Sequence, residues 1–245
     1  MKDVLYTLRW YSKAIQEATS FERAKFLAAE MEAILTKALG VGVAGPAPGR
    51  ETPAPDESIK ATLVLVVGHE KRAPGASFAL GGSEYDYNTK VAALCEDYAK
   101  KSYPGMVVKT VFRDGVGISG AYATAKGLNP DACIELHFNA FNGKVAGTET
   151  LSTVEDKDKA FAKVIQKAMC KVFGREGDSR GVKVIPKSAR GGGNIYSLPG
   201  FANCLVEPFF GDNREEAEAA LSKQQDYARA LIDASAEHFK ALGLV

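Results

Sequence analysis

The chain has 245 residues, enough for one sizeable domain plus a small appendage. Its 46% apolar and 25% charged side chains are the balance of a folded globular protein, which argues against disorder, collagen and coiled coil. A formal charge of +1 removes the electrostatic case for a protein that coats nucleic acid or adheres to anionic membranes. No apolar run reaches the ~18 residues needed for membrane insertion. The first ten residues, Met1 to Trp10, meet charge again before a hydrophobic segment can form, so no secretory signal is expected. Cys95, Cys133, Cys170 and Cys204 form no C-x-x-C pair; all four are read as reduced thiols, with Cys133 and Cys204 buried in apolar runs.

Residues 1–40 are predicted as a helical segment. Positions 3–39 contain no Gly or Pro, and Leu5, Leu8, Ile15, Phe26, Leu27, Met31, Ile34 and Leu35 recur at helical spacing. Ser20 and Glu22 mark a restart, so two helices and one kinked helix fit equally. Four glycines and four prolines between positions 40 and 55 make 41–57 a linker. From 58 to 245 apolar runs (61–67, 107–112, 132–136, 203–206 and, more weakly, 181–185) alternate with helical stretches near 88–101, 119–127, 156–173 and 214–241. That alternation predicts an α/β domain with a mostly parallel, twisted sheet flanked by helices on both faces.

In open α/β sheets, ligands bind beyond the carboxyl ends of the strands. The first run ends in Gly68-His69, the third in His137-Phe138-Asn139 and the fourth in Glu207-Pro208. Two of the three histidines and a carboxylate are thus expected at one sheet edge. Glu84, fifteen residues after His69 and just ahead of the helix expected near Asn88, can fold back beside it; Glu70 and Asp86 are rivals on proximity. Each has a plainer reading: a strand-end histidine is commonly a hydrogen-bonded structural residue, and a glutamate at a helix start commonly complements the dipole. Two imidazoles and a carboxylate form a catalytic zinc set that leaves a fourth position for water, whose pKa zinc lowers to around 7. Such chemistry needs a further carboxylate off the metal to move protons, and Glu207 is the candidate. No H-E-x-x-H helix or G-x-S-x-G elbow competes.

These residues carry a resemblance. His69, Glu84, the segment Glu135-Leu136-His137-Phe138-Asn139-Ala140, Arg180-Gly181-Val182-Lys183 and Leu205 to Asn213 together resemble the zinc-dependent N-acetylmuramoyl-L-alanine amidases. The similarity is to the peptidoglycan-cleaving group with a phosphorylase/hydrolase-like fold, and it covers about residues 59–243. It implies hydrolysis of the amide between N-acetylmuramic acid and the L-alanine of the stem peptide, with one Zn2+ per chain. By motif position it implies His69, Glu84 and His137 as ligands and Glu207 as the catalytic glutamate. Two positions depart from the family's pattern. His69 is followed by Glu70-Lys71 in place of a Gly-Gly loop, and Glu135 stands where a serine is usual. Strand alternation puts Glu135 on the face of His137, so it is expected either to support a ligand imidazole or to sit as a third carboxylate near the metal, against the plainer reading of an exposed charge on an edge strand.

Asn139 is a lesser candidate for orienting substrate or its own loop. The Arg190-Gly191-Gly192-Gly193-Asn194 stretch has no dinucleotide order and reads as a groove wall toward glycan or stem peptide, with a plain loop as the simpler alternative. Arg113-Asp114 is expected to brace the loop after the second strand. His238, near the end of the last helix, is expected to be structural, as a cation suited to the helix dipole. The resemblance, with no leader expected, points to a phage lysis enzyme (endolysin) made in the cytoplasm and acting on the wall after release. The short connection 138–155 leaves no room for the extra blocking helix of regulated cell-division relatives. Two other readings stay open: a zinc carboxypeptidase or amidohydrolase acting on soluble peptides, and a non-catalytic wall-binding protein in which residues 1–40 contact wall material or a partner.

Overall fold

The computed structural model of the protein describes residues 54–177 and 179–245. The expected helical segment 1–40 and most of the linker 41–57 lie outside the described residues; positions 54–57 carry no regular secondary structure.

The first strand, β1 (Thr62–Val67), is a run of Leu and Val with five of its six residues buried, as a strand covered on both faces requires. It is followed by α1 (Glu84–Ser102), β2 (Val107–Val111), α2 (Gly117–Gly127), β3 (Ala132–Leu136), β4 (Glu149–Ser152), α3 (Asp156–Phe173), β5 (Gly181–Val184), the single turn α4 (Gly192–Ile195), β6 (Ala202–Glu207), α5 (Arg214–Ser222) and α6 (Gln224–Ala241). The strands form one sheet in the order β2-β1-β3-β6-β4-β5. β2, β1, β3 and β6 run parallel, β4 pairs antiparallel with β6, and β5 runs parallel to β4. The sheet is therefore mixed and mostly parallel, with six helices around it among the described residues.

Alternation along the strands sorts two cores. Leu63, Leu65, Val67, Ile134, Leu136, Cys204 and Val206 pack with α1, α3 and α6 on one face. Val64, Val66, Val111 and Cys133 pack with Ala121, Tyr122 and Ala125 of α2 on the other. All four cysteines are free and buried. No helix among the described residues is long and apolar enough to cross a membrane.

Three boundaries differ from the sequence reading. Helix α1 begins at Glu84, not near Asn88, because Ser83 and Asp86 form a reciprocal capping box that starts the helix a turn earlier. The expected single helix 214–241 is broken at Lys223, with no Gly or Pro to mark the break. Strand β4 was not expected at all. Its polar residues lack an apolar run, and Thr150 is satisfied by a side-chain hydrogen bond to Gln166 Oε1 at 2.6 Å.

His238 also differs from expectation. It is 7% exposed, its ring lies 4.9 Å from that of Phe161, and burial pushes its pKa down, so the neutral ring and not a cation occupies the helix end.

Candidate active site

β1, β3 and β6 are parallel neighbours, so their carboxyl ends share one edge, and the residues that leave those ends meet there. Gly68 follows β1 and donates its N–H to Leu136 O at 2.9 Å. A Cβ at Gly68 would lie 2.5 Å from both His137 Cε1 and Leu136 O, so only a bare backbone leaves room for the imidazole. His69 then takes a left-handed conformation, φ +66°, shared among non-glycine described residues only by Asn129. Gly75, at φ +80°, is held open by the same crowding: a Cβ there would sit 2.6 Å from Glu84 Oε2 and from His69 Cδ2.

Glu84, the first residue of α1, is 3% exposed. Its carboxylate accepts the Ala76 N–H at 3.1 Å and the Phe138 N–H at 3.0 Å. The same carboxylate faces both imidazoles: His69 Nε2 stands 3.1 Å from Oε2, and His137 Nδ1 stands 2.7 Å from Oε1. Burial alone would raise its pKa, but hydrogen bonds and charge from His137 and His69 outweigh that and hold it well below the usual carboxylate range. One donor atom from each of His69, Glu84 and His137 lies within 4.8 Å of the others, and the two rings are 5.0 Å apart, edge to face. Two nitrogens and one oxygen at that mutual spacing fit a divalent cation of the zinc type.

The rival ligands are elsewhere. Asp86 is engaged in the Ser83 cap, and neither it nor Glu70 belongs to the cluster.

Glu207 closes β6 on the same face as Leu205 and is paired across the sheet with Glu149. Its Oε2 is buried without a hydrogen-bond partner. Burial, aided by the charges of Glu84 and Glu149 and opposed by His137 and Arg190, pushes its pKa up to about 8. Because β4 and β5 run against β6, their first residues arrive at this same edge. Glu149 there accepts from Arg180 Nε at 2.9 Å and from Asn139 Nδ2 at 2.7 Å. Asn139 is thus tied to Glu149, and its backbone pairs with Phe209 and Gly211. Arg190 is exposed at the turn entering α4, close enough for its charge to act on Glu207.

Glu135 lies in the sheet interior with no exposed surface, which corrects the reading of a solvent-facing charge on an edge strand: β3 is central, between β1 and β6. Its partners are His137 Nε2 at 3.0 Å, the Tyr122 hydroxyl, Asn194 Nδ2 at 2.9 Å and the Arg113 guanidinium. Arg113 and Asp114 do not simply brace their own loop. Arg113 pairs with Glu135, whereas Asp114 holds the loop after β1 by accepting the Lys71 N–H at 2.9 Å and the Tyr85 hydroxyl at 2.6 Å. Glu149 and Tyr122 were missed from sequence, and Asn194, named only as part of the stretch from Arg190 expected to form a groove wall, was not expected to bond to Glu135. Glu149 starts a strand that has no apolar run, and Tyr122 sits in a helix whose apolar spacing made it look like ordinary core.

Against proteins of known family, residues 63–237, well over half of the chain, match the profile described as N-acetylmuramoyl-L-alanine amidase. The chain belongs to that family. Among solved structures it is similar to the catalytic domain of CwlV, an N-acetylmuramoyl-L-alanine amidase from Bacillus (Paenibacillus) polymyxa var. colistinus, with 22% identity and a TM-score of 0.62 over 74% of this chain and 98% of that one. It is similar to the catalytic domain of the CD27L endolysin targeting Clostridia difficile, with 24% identity and a TM-score of 0.60 over 72% and 97%. A third likeness is to the amidase Ami1 from Mycobacterium smegmatis, with 17% identity and a TM-score of 0.61 over 76% and 100%. At these identities the likenesses establish the fold. No curated protein matches the chain.

Proposed function

We propose that the protein is a zinc-dependent amidase that hydrolyses the bond between N-acetylmuramic acid and the L-alanine of the peptidoglycan stem peptide. The observation that carries this reading is the convergence of His69, Glu84 and His137 donor atoms within 4.8 Å. Family membership supplies the substrate class. His69, Glu84 and His137 would hold one Zn2+, whose chemistry when bound is Lewis acidity toward a carbonyl oxygen and acidification of water to a pKa around 7.

The chain's own residues do the rest. Glu84 is kept anionic by two imidazoles and two backbone N–H groups, so a cation meets a preformed negative ligand. Glu207 has an unpartnered buried oxygen and an affinity for protons balanced near neutrality, which suits a group that must both take and return one. Its Oε2 would accept a proton from the water attacking the lactyl carbonyl carbon. As the C–N bond breaks, it would give that proton to the departing alanine nitrogen. Arg180 pairs with Glu149 and Asn139 donates to it, so the second carboxylate is held in place beside Glu207, whose proton affinity its charge helps to raise.

The test is digestion of purified peptidoglycan with metal analysis. New N-terminal L-alanine amines and about one zinc per chain are the expected result. Glu207→Gln should keep its zinc and lose ~10²–10⁴-fold in kcat, the usual range for removing a general acid–base group. Cleavage between amino acids of soluble peptides, or full turnover in Glu207→Gln, would overturn the assignment.

We further propose the setting of a wall-lysis enzyme. The connection 137–148 carries turns and no helix, which favours a site open to polymer, and the similar CD27L protein is named an endolysin. Cells producing the protein should lyse when their membrane is permeabilised and grow normally otherwise.

A further inference from the structure

Between Val66 of β1 and Leu205 of β6, directly opposite it in the sheet, β3 carries Glu135. Both strand neighbours are apolar, so nothing in the sheet itself calls for a charge at this position. A carboxylate instead occupies the position with no exposed surface, an expensive choice unless its oxygens are fully engaged. They are engaged, from four directions. Tyr122 of α2 donates its hydroxyl to Oε2; Asn194 of α4 donates Nδ2 to Oε1 at 2.9 Å and to Oε2 at 3.1 Å; Arg113, beyond the end of β2, supplies the counter-charge; and His137 Nε2 stands 3.0 Å from Oε1.

We propose that Glu135 is a positioning residue: it clamps the Nε2–H of His137, so that Nδ1 is the atom presented to Glu84 and His69. The Glu135 carboxylate can only accept from this nitrogen, so the proton belongs on Nε2; without a cation Nδ1–H also faces a carboxylate, that of Glu84, and a cation bound there would take the Nδ1 lone pair in place of that proton. Nδ1 is the nitrogen that lies 2.7 Å from Glu84, on the side where the three donor atoms converge. Through Asn194 the same carboxylate also ties the imidazole to the wall that begins at Arg190, and through Arg113 to the end of β2. The role toward zinc rests on the function proposed above; the clamp on the imidazole does not.

The experiment uses the full chain labelled with 15N-histidine. With only three histidines in the sequence, each imidazole can be assigned directly. A downfield His137 Nε2–H resonance protected from solvent exchange is expected in the wild type, with or without zinc; its absence would overturn the clamp. The double variant Arg113→Met/Glu135→Leu removes the buried pair as a unit and so avoids stranding a charge. It should lose that resonance, keep its circular dichroism, and bind zinc ~10–100-fold more weakly in chelator competition, the usual cost of losing the partner of a ligand imidazole. A folded double variant with the resonance and the zinc affinity unchanged would refute the proposal. Should the double variant fail to fold, Glu135→Gln is read in the same way: a weaker acceptor must shift the Nε2–H resonance, and an unshifted one refutes the clamp. If the wild type binds no zinc, the metal reading falls, and the resonance alone still decides the positioning role.

Discussion

Two backbone positions do as much for the site as its side chains. Gly68 and Gly75 leave empty the space that His137, His69 and Glu84 fill. Gly75→Ala adds a Cβ 2.6 Å from Glu84 Oε2 at a backbone angle of +80°, so it should weaken zinc binding by well over tenfold in chelator competition. Wild-type affinity in that variant would show that the crowding relaxes without moving the ligands. Glu207 makes a second prediction, in the metal-free protein. Its proton affinity is higher in the folded state (about 8) than its ordinary 4.5, so the folded chain holds a proton that the unfolded chain releases. The resulting stabilisation is fully present below pH 4.5 and is lost as pH rises toward 8. Glu207→Gln has nothing to titrate, so its melting temperature relative to wild type should climb across that window and then level off. A difference that stays flat from pH 5 to pH 8 would mean the carboxyl is not perturbed. At this scale the sequence was informative about His69, His137 and Glu207, because each stands just past an apolar run. It put Glu135 on the face of His137 but was silent about Tyr122 and Asn194, which reach it from a helix and a turn with no motif in common.

Among the elements, α1 has the most direct bearing on the chemistry, since its first residue is Glu84 and its cap is Ser83. Ser83→Ala removes a capping box and should cost ~1 kcal/mol of stability by chemical denaturation, with zinc affinity falling alongside because the first turn frays at the ligand. Stability lost with zinc affinity intact would separate the cap from the site. The same element shows how far sequence patterns reach. Its body was evident from apolar spacing, whereas its start was misplaced by a turn, because the cap lies in a Gly-Gly-Ser tract that reads as loop. The long runs that became β1 and β3 announced themselves, as fully buried parallel strands do. Strand β4 did not, since Thr150 meets its burial by hydrogen bonding to Gln166 instead of by apolar packing. The break between α5 and α6 at Lys223 carries no Gly or Pro, and nothing in the structure explains it.

For the molecule as a whole, a cation that binds only the folded chain must add to its stability by mass action. Zinc at ~100 times its dissociation constant should add ~2.7 kcal/mol, and chelation should remove it, so the melting temperature is expected to depend on zinc concentration. A melting temperature indifferent to both zinc and chelator would place the cation outside the fold's design. The direction in which the strands run adds a consequence of its own. β1 and β3 deliver candidate ligands and β6 the proposed proton carrier Glu207 from their carboxyl ends, while β4 and β5, reversed, bring Glu149 and Arg180 to the same rim from their amino ends. The two halves reach the rim through separate stretches of chain. Substitutions at Glu149 or Arg180 are therefore expected to act on Glu207 before they act on His69, Glu84 and His137.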